Sequence, residues 1–197
     1  MDPQGKAGGK AHGCEVAPTP WVARFASLVP SGHVILDVAA GSGRHSRYFL
    51  GLGHPVIAID RDPAPLRSIH EPRLTVIACD LEAEPWPLSG RQFGGVVVTN
   101  YLHRPLLPYL VDAVADGGAL IYQTFAQGNE AYGRPRNPDF LLQPGELLDA
   151  VRGKLDVLAY EHGILQTSRP MVVQRIAAVR KSFPTSIRAV DPSTANA

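Results

Sequence analysis

The stretch Val34-Ile-Leu-Asp-Val-Ala-Ala-Gly-Ser-Gly-Arg44 constrains this chain more than any other. Val34 to Val38 is an almost unbroken apolar run, the pattern of a strand buried on both faces. It passes through Gly41-Ser42-Gly43 directly into the helical pattern of Arg44 to Leu52, which Gly53 ends. A strand covered on both sides needs helices on both faces of its sheet, so the run selects a parallel α/β arrangement. The rest of the chain repeats the rhythm. Pro20 to Leu28 sets Trp21, Phe25 and Leu28 on one helical face. Strands are expected at Pro55–Asp60, Leu74–Ala78, Phe93–Thr99 and Ala119–Thr124. Short helices are expected at Pro63–His70, at Gly145–Val151, and after the fourth strand, where Leu107, Leu110, Val111 and Val114 have helical spacing. Lys154–Ala159 and Pro170–Arg180 then read as two strands joined only by a loop. A parallel pair needs a longer crossover, so these two are expected to be antiparallel. The fold class is a doubly wound α/β domain, its sheet mostly parallel with an antiparallel C-terminal edge.

Length and charge narrow the function. The chain has 197 residues, enough for one domain with a full core, read here as residues 18–183 between a disordered lead (1–17) and a flexible tail (184–197). Lys plus Arg is 19 against 18 Asp plus Glu, so the net charge of +1 supplies no global field for nucleic acid. Cys14 and Cys79 cannot build a disulfide framework, and no His/Cys pair has metal-ligand spacing, so no metal is expected. The N-terminus has no apolar core of a leader, and no run approaches a membrane span. A soluble cytoplasmic protein is expected.

The glycine turn lets a ligand approach the backbone closely, beside the unpaired N–H groups of the helix that follows. Asp60 ends the second strand, and a carboxylate there suits the two hydroxyls of a ribose. Asp80-Leu81 ends the third strand at the same edge of the sheet. A dinucleotide fingerprint would need glycine where Ser46 stands, and the Gly-Lys-Ser/Thr of a phosphate loop is absent. Asp37, four residues before Gly41, would repel a pyrophosphate but attract the ammonium of an amino-acid moiety. That charge logic favours S-adenosylmethionine over NAD or ATP.

Asp37-Val-Ala39-Ala-Gly41-Ser42-Gly43, with Asp60 and Asp80 behind it, resembles the first motif and the two later acids of the class I S-adenosylmethionine-dependent methyltransferases. The likeness covers roughly residues 33–180 and extends to small single-domain members such as the tellurite-resistance methyltransferase-like group. It implies a seven-stranded Rossmann-like sheet ending in an antiparallel hairpin. It also implies that Asp60 lies at the ribose and that Asp80 and Leu81 read the adenine edge; Arg61, next to Asp60, and Asn100, at the end of the fourth strand, are further cofactor candidates.

Methyl transfer from a sulfonium is an in-line displacement, so the enzyme mainly positions two reactants, and a base is needed only where the acceptor must lose a proton. The fourth strand ends in Thr99-Asn100-Tyr101-Leu102-His103-Arg104-Pro105, which lacks the proline pair of the family's amino-methylating branch. His103 reads as a general base or as a brace for the next helix, Arg104 as an anion anchor or a structural ion pair. Tyr101 reads as a catalyst or as a wall of the cofactor pocket. Gln123 to Phe140 is long for a loop in so compact a domain, the mark of a lid. Its Asn129, Tyr132, Arg134 and Asn137 are the candidate acceptor contacts, with His162 and Arg169 flanking the last turn. The expected acceptor is a small molecule, with RNA or protein acceptors left open, as is the oligomeric state. Two other classes compete: an NAD(P)-dependent oxidoreductase, in which Arg61 would meet a 2′-phosphate, and a non-catalytic module that binds the cofactor as a partner or regulator.

Overall fold

The computed structural model describes residues 17–181. The expected disordered lead and flexible tail fall outside these residues, apart from Ala17. The strands are β1 (Ile35–Val38), β2 (Val56–Asp60), β3 (Leu74–Ala78), β4 (Phe93–Thr99), β5 (Val114–Phe125), β6 (Asp156–Leu165) and β7 (Met171–Val179). The helices are α1 (Pro20–Phe25), α2 (Arg44–Gly51), α3 (Ala64–Arg67), α4 (Leu107–Asp112) and α5 (Glu146–Val151).

The sheet has seven strands in the order β3-β2-β1-β4-β5-β7-β6. β1 to β5 are parallel, and β7 runs antiparallel to both β5 and β6. The C-terminal hairpin thus closes one edge, with β7 tucked inside β6. The order reverses between β1 and β4, and the crevice outside the carboxyl ends of these strands is where open α/β sheets take ligands.

Side-chain alternation sends each strand's apolar residues to two cores. On one face Trp21, Phe49 and Leu66 pack with Ile35, Val97 and Ile121. On the other, Leu110, Val111 and Leu147 pack with Leu36, Val98 and Leu120. Thr19 caps α1 by accepting from the Val22 amide at 3.4 Å, and the Trp21 indole N–H donates to the Ile176 carbonyl at 3.2 Å, tying α1 to β7.

Two elements differ from the sequence reading. Val114 does not extend α4, which stops at Asp112; it opens β5 and pairs with Phe93. Burial satisfies an apolar side chain in either element, and here the strand ladder takes it. β5 then runs through Gly117-Gly118 at an irregularity in its pairing with β4. β6 continues to Leu165 rather than ending at Ala159, because its far half pairs with β7 although most of its side chains are exposed. Among the described residues no helix is long and apolar enough to cross a membrane, and no cluster of His, Cys, Asp and Glu could hold a metal ion.

Candidate active site

A cavity of about 530 Å³ opens at the carboxyl edge of the sheet. Its wall draws on the ends of β1 (Ala39), β2 (Asp60, Arg61), β3 (Cys79 to Glu82), β4 (Asn100 to Leu102) and β5 (Thr124, Phe125). Pro135 and Phe140 complete it from the loop after β5. The size lies within the range of small-molecule sites.

The glycine turn is held from both sides. Gly41 has φ +56° and Gly43 φ +76°, left-handed values that favour glycine. A Cβ on Gly43 would stand 2.7 Å from Ile69 Cδ1 and 2.8 Å from Leu66 Cδ2, so this residue lets α2 start against α3. From the cavity side, the Gly41 N–H donates to Asp60 Oδ2 at 2.7 Å, while the Asp62 N–H donates to Oδ1 at 2.9 Å. The carboxylate at the end of β2 therefore buttresses the turn while still forming part of the wall. Among the described residues Ala39 (φ +51°) and Asn100 (φ +55°) are the positive-φ non-glycine residues, and both lie in the wall. Such conformations cost on the order of 1–3 kcal/mol and gather at ligand sites.

Asp37 sits beneath the turn rather than in the wall. It is 2% exposed, and burial pushes its carboxyl up to about 6, while the Ser46 hydroxyl, donating at 2.6 Å, pulls the other way. Ser46, which breaks the dinucleotide fingerprint, thus serves as the partner of Asp37. His45, one residue earlier, is also buried. Its Nε2 accepts from the Thr19 amide at 3.2 Å, which leaves Nδ1–H to donate to Thr99 Oγ1 at 3.4 Å. Burial, then the Arg44 charge, holds this imidazole down to about 4, so it is neutral and braces α1, α2 and β4 together.

The cofactor candidates Ala39, Asp60, Arg61, Asp80, Leu81 and Asn100 share the wall. Gly41 and Ser42 are exposed in the turn beside it, and Gly43 is buried at the start of α2. Asp80 Oδ1 accepts from the Glu82 amide at 3.0 Å, which shapes the corner after β3. The Tyr101 hydroxyl is buried without a partner. Burial, then the nearby Glu82 and Asp80 carboxylates, lifts it well above the usual phenol range, and the residue forms part of the wall. Burial also raises the Cys79 thiol.

The acceptor-side expectations change. The wall ends at Leu102, and His103 lies just outside it, half-buried where the next helical turn begins. Arg104 is no free anion anchor. Its guanidinium donates to Glu146 Oε1 at 2.7 Å and Oε2 at 3.0 Å, and to the Asp139 and Leu141 carbonyls at 2.7 Å each. Asn129 is 1% exposed and spans the loop, donating to the Pro135 carbonyl at 3.2 Å and accepting from the Val172 amide at 3.1 Å. Asn137 accepts from the Asp139 amide at 3.1 Å as a cap. Tyr132 and Arg134 are exposed away from the wall, and His162 lies along β6 in a separate shallow depression. The loop does cover the site, but through Pro135 and Phe140. The available signal was two non-polar residues in a polar segment, and nothing local distinguished them from ordinary turn residues.

No family model and no curated protein matches the sequence. Solved structures do match by fold. TehB from Haemophilus influenzae is 19% identical with a TM-score of 0.66, the match covering 81% of this chain and 61% of that one. This chain therefore spans less than two thirds of TehB. The Burkholderia thailandensis 1,6-didemethyltoxoflavin-N1-methyltransferase, with 1,6-didemethyltoxoflavin and S-adenosylhomocysteine bound, is 18% identical with a TM-score of 0.61, covering 83% and 78%. The glycopeptide N-methyltransferase MtfA complexed with S-adenosylhomocysteine is 21% identical with a TM-score of 0.54, covering 81% and 88%. At such identities the likeness is one of architecture, and it establishes that this chain has the Rossmann-like fold of the class I methyltransferases.

Proposed function

We propose that the protein binds S-adenosylmethionine in this cavity and transfers its methyl group to a small-molecule acceptor. The observation that carries the reading is Asp60, a carboxylate in the cavity wall at the end of β2, bonded to the backbone of the glycine turn. A ribose diol placed there meets a fixed acceptor pair beside left-handed glycines that admit it. Asp80 and Leu81 would hold the adenine edge, and the unpartnered Tyr101 hydroxyl closes that end of the wall. Asp37, beneath the turn, supplies negative potential for the amino-acid ammonium. The structural neighbours that hold S-adenosylhomocysteine support the same cofactor.

When bound, S-adenosylmethionine supplies a methyl group already activated by its sulfonium. This chain's residues then bind, orient and exclude water: Asn100 and Ala39 shape the floor, and Pro135 and Phe140 cover the mouth.

Calorimetric titration with S-adenosylhomocysteine, run beside NADP, tests the reading. Saturable binding of S-adenosylhomocysteine alone is expected, with Asp60→Ala losing about 1–3 kcal/mol of it. Binding of NADP alone would replace the methyltransferase with an oxidoreductase using Arg61. Consumption of S-adenosylmethionine with an acceptor separates the enzyme from a binding module.

A further inference from the structure

The cavity is divided by polarity along the sheet edge. Its ionisable wall residues, Asp60, Arg61, Cys79, Asp80, Glu82 and Tyr101, come from the ends of β2 and β3 and from the residue after Asn100. Tyr101 belongs with them, because the charges acting on its hydroxyl are Glu82, Asp80 and Arg61. The other end is walled by Asn100, Leu102, Thr124, Phe125, Pro135 and Phe140. None of these ionises. β2 and β5 are three strands apart, so the acidic end and the aromatic end are separated by ~14 Å at about 4.8 Å per strand. That span holds a nucleoside with its amino-acid arm and leaves the aromatic end for the acceptor.

This end is a built wall. The Arg104 guanidinium holds the carbonyls of Asp139 and Leu141, the two residues that flank Phe140, while Glu146 holds the guanidinium. Buried Asn129 holds the Pro135 carbonyl. Arg104 and Glu146 are thereby spent on shaping the wall. Arg134 and Arg136 are exposed on the same loop and absent from the wall. Among the described residues no base lines this end: His103 stands outside the wall, and the His45 ring is committed to Thr19 and Thr99.

The geometry points to a neutral, planar nitrogen heteroaromatic as the acceptor, methylated on a pyridine-type ring nitrogen, with Phe125, Pro135 and Phe140 as specificity residues and Arg104 and Asn129 as positioning residues. This rests on the methyltransferase reading above. The acceptor's ring nitrogen brings a free lone pair, so a C–N bond forms as the methyl C–S bond breaks. The electron pair leaves with sulfur, and no proton has to be removed. The positive charge passes from sulfur to the ring, beside the aromatic side chains of Phe125 and Phe140 that line this end. A protonated amine would lose its hydration here without a counter-ion, and a phenol would find no base.

The test uses the full chain saturated with S-adenosylhomocysteine and three probes of similar size: isoquinoline, its cationic saturated analogue tetrahydroisoquinoline, and 2-naphthol. Isoquinoline is expected to bind best, and with S-adenosylmethionine to yield N-methylisoquinolinium, read by mass spectrometry. Phe140→Ala should weaken isoquinoline about tenfold and leave S-adenosylhomocysteine affinity within about twofold. Arg104→Met should weaken isoquinoline in the same way, with Arg104→Lys restoring part of the loss. Preference for tetrahydroisoquinoline, methylation of 2-naphthol, or no isoquinoline binding while S-adenosylhomocysteine still binds would overturn the acceptor assignment. Failure of S-adenosylhomocysteine itself to bind would instead overturn the cofactor reading.

Discussion

Asp37 and His45 lie under the glycine turn and should pull the protein's stability in opposite directions as pH changes. Burial raises the Asp37 carboxyl from 3.8 to about 6. A raised pKa gives stability that is full below the unfolded value and lost as pH rises through the folded one. Burial lowers His45 from 6.5 to about 4, so its contribution is full above the unfolded value and lost as pH falls through the folded one. Between about pH 7.5 and about pH 5, Asp37 should add about 1.4 kcal/mol while His45 removes about 2. The native protein should therefore change by under about 1 kcal/mol from these two groups. Single substitutions unmask each slope. Asp37→Asn, which keeps an acceptor for Ser46, should lose about 2 kcal/mol on going to the lower pH. His45→Gln, which keeps a donor and an acceptor for Thr99 and Thr19, should gain about 1.4 kcal/mol. Urea unfolding of the three proteins at both pH values measures this directly. Parallel slopes in Asp37→Asn and native protein would refute the claim that the buried carboxyl titrates with folding.

Other outcomes follow from contacts already described. Gly43→Ala forces a Cβ to within 2.7 Å of Ile69 at a left-handed φ, and should cost about 2–4 kcal/mol in urea unfolding. Gly41→Ala has the same kind of φ but nothing within 4 Å, so only about 1–2 kcal/mol is expected. Arg104→Met should raise hydrogen exchange at the Phe140 to Leu142 amides and cost about 1–3 kcal/mol, since Glu146 loses its charged partner; unchanged exchange would mean the loop is held elsewhere. Tyr101→Phe should keep or raise stability by removing an unpaired buried hydroxyl, and a loss above about 1 kcal/mol in thermal unfolding would show that it has a hydrogen-bond partner.

Much of the architecture was legible because its signals are local. β3 and β4 begin and end where the apolar runs do; for β4, buried nearly throughout, a strand covered on both faces needs apolar sequence, while β3 keeps its apolar residues although it is the part-exposed edge strand. The loop-only connection before β7 forced an antiparallel pair, as found. The boundaries that moved are those where two elements bury the same residue type equally well, as at Val114, or where pairing rather than burial defines the strand, as in the outer half of β6.

The sequence by itself determined the turn and the acids around it: glycine adopts φ +56° and +76° without strain, and the end of a strand must lie at the sheet's carboxyl edge, which puts Asp60, the last residue of β2, and Asp80, two residues past β3, there. It could not determine the roles of Arg104, Asn129 and Asn137. Each looks like a ligand contact because it can donate or accept, but each is satisfied by backbone far from it in sequence or within its own turn. Buried polar groups must find partners, and which partners are within reach is settled only when the loop packs. The same packing turned Phe140 and Pro135, plain non-polar residues in a polar loop, into part of the cavity wall.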